Sequence, residues 1–238
     1  MSEKPALQCT IVPVTPFRQN CSIVWCTETQ RGAVIDPGGE TEILIDNIGA
    51  HNIVIEKILI THGHLDHAGG AADLAEHFKV PIEGPQRADQ FWIDAIAGQS
   101  EKYGLSGRPF TPDRWLEDGD SVTVGAQKFG VVHCPGHTPG HLVFFHSGVQ
   151  LAFVGDVLFR GSIGRSDLPH GDRATLVRSI TTKLWPLGND MVFVPGHGPT
   201  STFGRERQSN PFVADRLTGI RSPEQNRHED IDRPQDSA

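Results

Sequence analysis

Between Leu59 and Gly70 the chain reads LITHGHLDHAGG, which sets three imidazoles and a carboxylate, His62, His64, Asp66 and His67, within six residues after a short apolar run. Imidazole nitrogen and carboxylate oxygen together suit zinc, iron or manganese, whereas calcium and magnesium favour oxygen donors. The chain has twelve histidines in 238 residues, so a polar loop would seldom gather three of them in this pattern by chance. Gly63 lets the backbone turn between two ligands, and Gly69 and Gly70 allow a helix start to pack closely.

Three later segments have the same form, a short apolar strand ending in a metal-type ligand amid Gly and Pro: VVHCPGHTPGH, LAFVGDVLF and VFVPGHGP. They offer His137, Asp156 and His197. Each alone would more often be a structural hydrogen-bonding residue, but alongside the first cluster they form a candidate ligand set.

The elements that must position these residues can be read from apolar periodicity. Gln8 to Val14, Cys21 to Cys26 and Gly32 to Ile35 are predicted strands, Glu40 to Ile48 a helix, and EKILIT a buried strand running straight into the His-rich segment. Ligands are commonly bound at such strand carboxyl ends in α/β proteins. A helix is expected from Ala68 to Phe78 and another over Gln86 to Gly98. The second half repeats the scheme loosely, with strands at Ser121 to Val124, Lys128 to His133, Leu142 to Phe145, Leu151 to Val154 and Met191 to Val194. Asp172 to Leu184 is its helix. Strands outnumber interspersed helices, so the expected class is α/β, two sheets with helices outside. One domain over residues 1–218 is expected. Residues 219–238 carry mixed charge, two prolines and little apolar area, the composition of a disordered tail.

Composition narrows the function. A formal charge of -8 without any Lys/Arg run argues against a nucleic-acid surface. No apolar run reaches the length of a membrane span, and MSEKPALQ is not a signal peptide, so a cytoplasmic protein is expected. The four cysteines form no C-x-x-C pair and read as reduced and mostly buried. Cys134 is singled out because it lies three residues before His137.

Taken in order, THGHLDH, PGHTPGH, GDVLF and PGHGP resemble the metallo-β-lactamase superfamily, specifically its glyoxalase II-like hydrolases. The likeness runs from about Ile11 to Pro211, and GDVLFRGSIGRSDLPHGD points to the short bacterial members. The resemblance implies an αββα sandwich with a dinuclear site at one edge. It makes His62, His64 and His137 the ligands of a first metal, Asp66, His67 and His197 those of a second, and Asp156 the carboxylate bridging them. Two divalent ions are implied, zinc in the first place, with iron or manganese as alternatives. Two ions about 3.5–4 Å apart need a shared oxygen ligand, and the water between them has its pKa brought from ~16 to about 7. The expected reaction is attack of that bridging hydroxide on a small-molecule thioester such as S-lactoylglutathione, an S-2-hydroxyacylglutathione, with Asp66 orienting the nucleophile.

Arg165, Ser166 and His170 are the candidate substrate contacts, and Arg160 is a weaker one. The remaining histidines, His51, His77, His133, His141, His146 and His228, read as surface residues or supports behind the ligands. The C-terminal helical domain of the longer glyoxalase II enzymes is not expected here, since only some forty residues follow His197, and Gly198 and Pro199 come next where those enzymes tend to carry a tyrosine soon after. The alternative is a persulfide dioxygenase, an oxidoreductase that shares the His-rich motif and uses a single iron. Flavodiiron oxidoreductases would put Glu where His64 stands, β-lactamases with a Cys ligand would need it at Asp156, and superfamily nucleases need basic surface or extra domains. A non-catalytic zinc module would need closed four-coordinate sites.

Overall fold

The computed structural model describes residues 6–219, so the expected tail, but for Gly219, lies outside the described residues. The first sheet contains β1 (Leu7–Val14), β2 (Gln19–Cys26), β3 (Arg31–Ile35), β4 (Val54–Leu59) and β5 (Ile82–Glu83), side by side in chain order. β1, β2 and β3 are antiparallel, and β3, β4 and β5 run parallel. The second sheet contains β6 (Ser121–Val124), β7 (Gln127–His133), β8 (Leu142–His146) and β9 (Leu151–Gly155). The short ribbon of β10 (Leu158–Phe159) and β11 (Ser162–Ile163) follows, and β12 (Val192–Pro195) and β13 (Ser201–Thr202) complete the sheet in the order β13-β12-β9-β8-β7-β6.

Helices cover the outer faces. α1 (Thr41–Ala50), α2 (Leu65–Ala68), α3 (Ala71–Phe78), α4 (Gln90–Asp94) and α5 (Ile96–Tyr103) belong to the first half, and α6 (Arg173–Ser179), α7 (Phe203–Ser209) and α8 (Asp215–Thr218) to the second. Three apolar clusters define the layers. Val24, Ala33, Ile35 and Leu59 face Phe129, Val131, Phe144 and Phe153 between the sheets. Leu44, Leu74, Ile93 and Ile96 join the first sheet to its helices, and Leu176, Leu184 and Phe203 join the second to its own around Phe193. β2 is buried along nearly its whole length because both faces are covered, which explains its continuous apolar run. The result is an αββα sandwich, as expected. Truncating a fully buried aromatic such as Phe129 or Phe144 to Ala would cost about 3–5 kcal/mol.

Two expected helices are split, and β5, β10, β11, β13, α7 and α8 are not expected from the sequence. The helix placed at Ala68 to Phe78 is two helices: α2 starts at Leu65, so Asp66 and His67 sit on a helical turn and not on a loop. The break falls at Gly69 and Gly70, where the Pro37–Gly39 backbone presses in; a Cβ on Gly69 would lie 2.7 Å from the Gly38 carbonyl, and Gly70 N–H donates to Pro37 O at 2.8 Å. The region Gln86 to Gly98 is likewise a short 3-10 turn at Arg87–Asp89 followed by α4 and α5. At Asp172 the expected start holds: its carboxylate accepts from Thr175 N–H at 2.6 Å and caps α6, which continues as a π-turn over Ile180–Leu184.

Strand direction decides where the site lies. β8 is antiparallel to both β7 and β9, and β9 is parallel to β12, so β7, β9 and β12 all end at one edge of their sheet. The carboxyl ends of β3 and β4 meet that edge, with Asp36 and Thr61 beside Gly155, Pro195 and Gly196.

Candidate metal centre

The imidazoles of His62, His64 and His137 converge: His62 Nε2 and His137 Nε2 lie 3.0 and 3.1 Å from His64 Nδ1, and all three residues are buried. Zn–N bonds of about 2.0–2.1 Å would set tetrahedral donors ~3.3 Å apart, close to this spacing. A second group is formed by Asp66, His67 and His197. Asp66 Oδ2 lies 3.2 Å from His197 Nε2 and 3.9 Å from His67 Nε2. Asp156 stands between the groups, its Oδ2 3.6 Å from His137 Nε2 and 3.8 Å from His197 Nε2, and its Oδ1 3.4 Å from His67 Nε2. All seven expected ligands therefore meet at the sheet edges, drawn from both halves of the chain.

The outer nitrogens explain why the inner ones point as they do. His137 Nδ1–H donates to the Arg165 carbonyl at 2.7 Å, and His197 Nδ1–H to the Phe17 carbonyl at 3.2 Å. His67 Nδ1–H donates to Asp36 Oδ2 at 2.9 Å. Thr61 Oγ1 donates to Asp36 Oδ2 at 2.5 Å and so accepts from His62 Nδ1–H at 3.0 Å. In each case the proton is held on Nδ1 and the Nε2 lone pair is left facing the centre, which is how supporting groups orient metal-ligating histidines. Lone pairs converging in a buried space repel one another unless a cation joins them. His67 Nε2 and Asp156 Oδ1 are buried and have no hydrogen-bond partner, so the donor set fits divalent metal ions.

The charges follow the same division. Burial, reinforced by neighbouring imidazoles, holds His62 well below its usual pKa and His64 down to about 3. In the second group burial alone would lower His67, but the Asp156 and Asp66 carboxylates outweigh it and hold His67 well above its usual value. Burial would raise Asp156 too, yet His67 above all keeps it well below the carboxylate range. The second group thus already favours positive charge among its carboxylates.

Several positioning residues carry little sequence signal. Asp36 supports His67 and Thr61 from the end of β3, and IDPGG has the strand-then-carboxylate form of the other segments, which would have been the clue. Asn20 N–H donates to Gly196 O at 2.7 Å, tying the β1–β2 hairpin to the loop that carries His197. His141 is a support behind the ligands, as expected: it stacks on His62 at 4.5 Å and its Nε2 accepts from Asp156 N–H at 3.0 Å.

The expected substrate contacts are Arg165, Ser166 and His170. Arg165 is exposed, and its Nε and Nη2 donate to Asp167 at 2.8 and 2.9 Å, so that fork is already occupied. His170 is exposed with its ring 4.8 Å from Phe91, beside Trp92, which packs on His64 at 4.5 Å. Ser166 is partly exposed between them in sequence. Cys134 is fully buried, and burial pushes its thiol far above the ordinary range, which leaves it no nucleophilic role.

A family model described as the metallo-beta-lactamase superfamily matches residues 14–197. The chain belongs to the metallo-beta-lactamase superfamily. Within this superfamily it is 46% identical over 205 residues to a Haemophilus influenzae protein named hydroxyacylglutathione hydrolase GloC, covering 85% of this chain and 96% of that one. It is 30% identical to the Bacillus subtilis probable metallo-hydrolase YqgX over 203 residues, 85% of this chain and 95% of that one. Among solved structures, the BLEG-1 B3 metallo-beta-lactamase superposes with TM-score 0.80 at 33% identity, over 87% of this chain and 99% of that one. TTHA1623 in a di-iron-bound form gives TM-score 0.78 at 36% identity, over 86% and 100%. Family, relatives and donor set identify a metal-dependent hydrolase.

Proposed function

We propose that this protein is a dinuclear metal-dependent thioester hydrolase whose substrates are S-2-hydroxyacylglutathiones, with S-lactoylglutathione the first to test. The observation that carries the reading is the position of Asp156, within 3.8 Å of ligand nitrogens from both donor groups, where one carboxylate can serve two ions. Seven ligand-type side chains exceed what one ion can use. Bound there, two divalent ions, zinc by preference and iron or manganese otherwise, would polarise the thioester carbonyl and lower the pKa of a water between them. The chain's own residues supply the rest. His62, His64 and His137 would hold one ion, and His67, His197 and Asp66 the other. Asp66, less buried than its neighbours, is placed to accept a hydrogen bond from the attacking water and so orient it. The relative named hydroxyacylglutathione hydrolase supports the substrate class.

Attraction of the substrate's carboxylates falls to the mouth. Since Arg165 is engaged by Asp167, Arg18 and Arg160 become the freer cations: both are exposed, and among the described residues neither makes an ion pair. Arg18 follows Phe17, whose carbonyl holds His197, and Arg160 follows Phe159, whose ring lies 6.3 Å from that of His197. Ser166 and His170 would line the opposite side beside Phe91.

The test supplies zinc-loaded and iron-loaded protein with S-lactoylglutathione, with glutathione persulfide under oxygen, and with a β-lactam. The zinc form should cleave the thioester, because hydrolysis needs no redox change. Oxygen consumption by the iron form without thioester cleavage by the zinc form would replace this reading with the dioxygenase.

A further inference from the structure

Asp89 is a fully buried carboxylate outside every ligand motif, and among the described residues no lysine, arginine or histidine pairs with it. Its charge is met only by dipoles. Oδ2 accepts from Gly63 N–H at 3.0 Å and from Thr138 Oγ1–H at 2.7 Å, and Oδ1 accepts from Gly140 N–H at 2.5 Å. Gly63 lies between His62 and His64, and Thr138 follows His137. One side chain therefore joins the two loops that supply all three members of the first donor group.

The neighbouring backbone is shaped to let this happen. A Cβ on Gly140 would lie 2.6 Å from Asp89 N and 2.7 Å from Asp89 Oδ1, and one on Gly63 would lie 2.8 Å from Trp92 Cβ and 3.0 Å from Asp89 O. Gln86 N–H donates to Gly140 O at 3.0 Å, and Trp92 from the same segment packs edge-on to His64. The Gln86–Trp92 segment is thus the backing of the first group, with Asp89 at its centre. An unpaired buried carboxylate is costly unless every oxygen is satisfied, so a position valued only for packing would be filled better by an apolar side chain.

We infer that Asp89 is a positioning residue for the metal centre, holding the His62–Gly63–His64 turn at the distance from His137 that a single ion requires. This rests on the metal-centre reading above. Outer hydrogen-bond partners of metal ligands typically contribute 10–100-fold in affinity, and here one group acts on three ligands. Asp89→Asn keeps the shape but turns an N–H donor toward another donor. Thr138→Val removes one donor at nearly constant volume, and Thr138→Ser retains it.

The experiment measures cobalt(II) affinity by competition with a chromophoric chelator, together with the visible spectrum of the bound cobalt and the melting temperature of each metal-free protein. Asp89→Asn should weaken cobalt binding by about 10–100-fold and alter the spectrum. Thr138→Val should follow in the same direction, with Thr138→Ser restoring wild-type values. If Asp89→Asn does not fold, the two Thr138 variants carry the test alone. Unchanged affinity and spectrum in folded variants, with only the metal-free melting temperature lowered, would overturn the inference while leaving the metal centre intact. Failure of the wild-type chain to bind cobalt would overturn both.

Discussion

Asp156 shows what one residue decides in this site, because its two oxygens reach toward ligand nitrogens of both donor groups. Asp156→Ala should therefore weaken both sites, lowering metal affinity by more than about 100-fold, above the range for losing an outer support. Elemental analysis after dialysis would read this, with His77→Ala on α3 as the control. A second prediction concerns acid. His62 and His64 have pKa values lowered by burial, His64 to about 3 from 6.5, so between these values the unfolded chain binds protons that the folded chain does not. Their contribution to stability is present above pH 6.5 and is lost as pH falls toward 3. His67 acts in the opposite sense, since its raised pKa stabilises the fold at low pH and is lost as pH rises through the raised value. His137 and His141 are also lowered and His197 raised, so four imidazoles oppose two. The metal-free protein should melt at progressively lower temperature below pH 6.5, and His64→Gln should flatten that slope in a pH series of thermal melts.

Among the elements, the candidate ligands are held by strand ends and the tight turns behind them rather than by long loops. The turn after β3 packs on α2 so closely that a Cβ on Gly38 would lie 1.6 Å from the Asp66 carbonyl, backbone against backbone. No rotamer change can relieve such a contact. Gly38→Ala should cost at least about 1–3 kcal/mol, the range for overpacking, and should displace Asp66 and His67 from the second donor group. Urea unfolding and chelator competition on the same variant would show both effects; stability near wild type would mean that the turn yields. Much of this level was legible beforehand. The longer strands, α1 and the capped start of α6 follow from apolar periodicity and Asp172, whereas the two-residue strands β5, β10, β11 and β13 are too short to show a period. The early start of α2 was hidden because its four residues are nearly all ligands or small, and only packing against Pro37–Gly39 ends it at Gly69.

For the molecule as a whole, the centre joins the two halves of the sandwich, so metal binding and folding are coupled. At free metal 100 times the dissociation constant, each ion bound adds about 2.7 kcal/mol to stability. For a domain of this size each kcal/mol shifts the melting temperature by about 2–4 °C, so loaded and chelator-stripped protein should differ by ~5–11 °C for each ion bound. Differential scanning calorimetry with and without zinc reads this directly, and coincident melting would argue that the ions do not bind across the interface. No helix among the described residues is long and apolar enough to cross a membrane.

The ligand types and their order were set by local sequence: His62, His64, Asp66 and His67 lie within six residues, and each later ligand follows an apolar strand, a pattern that needs no knowledge of distant contacts. The supports were decided only in three dimensions. Asp36 is 31 residues from His67, and Asp89 is 49 residues from Thr138, so their roles arise from strand order and from the closure of one sheet on the other. Arg165 shows the reverse case, since its type suggested an anion contact while its carbonyl is what orients His137 and its guanidinium turns to Asp167. A side chain's chemistry is written in its type, but which partner claims its hydrogen bonds depends on what the fold brings within about 3 Å.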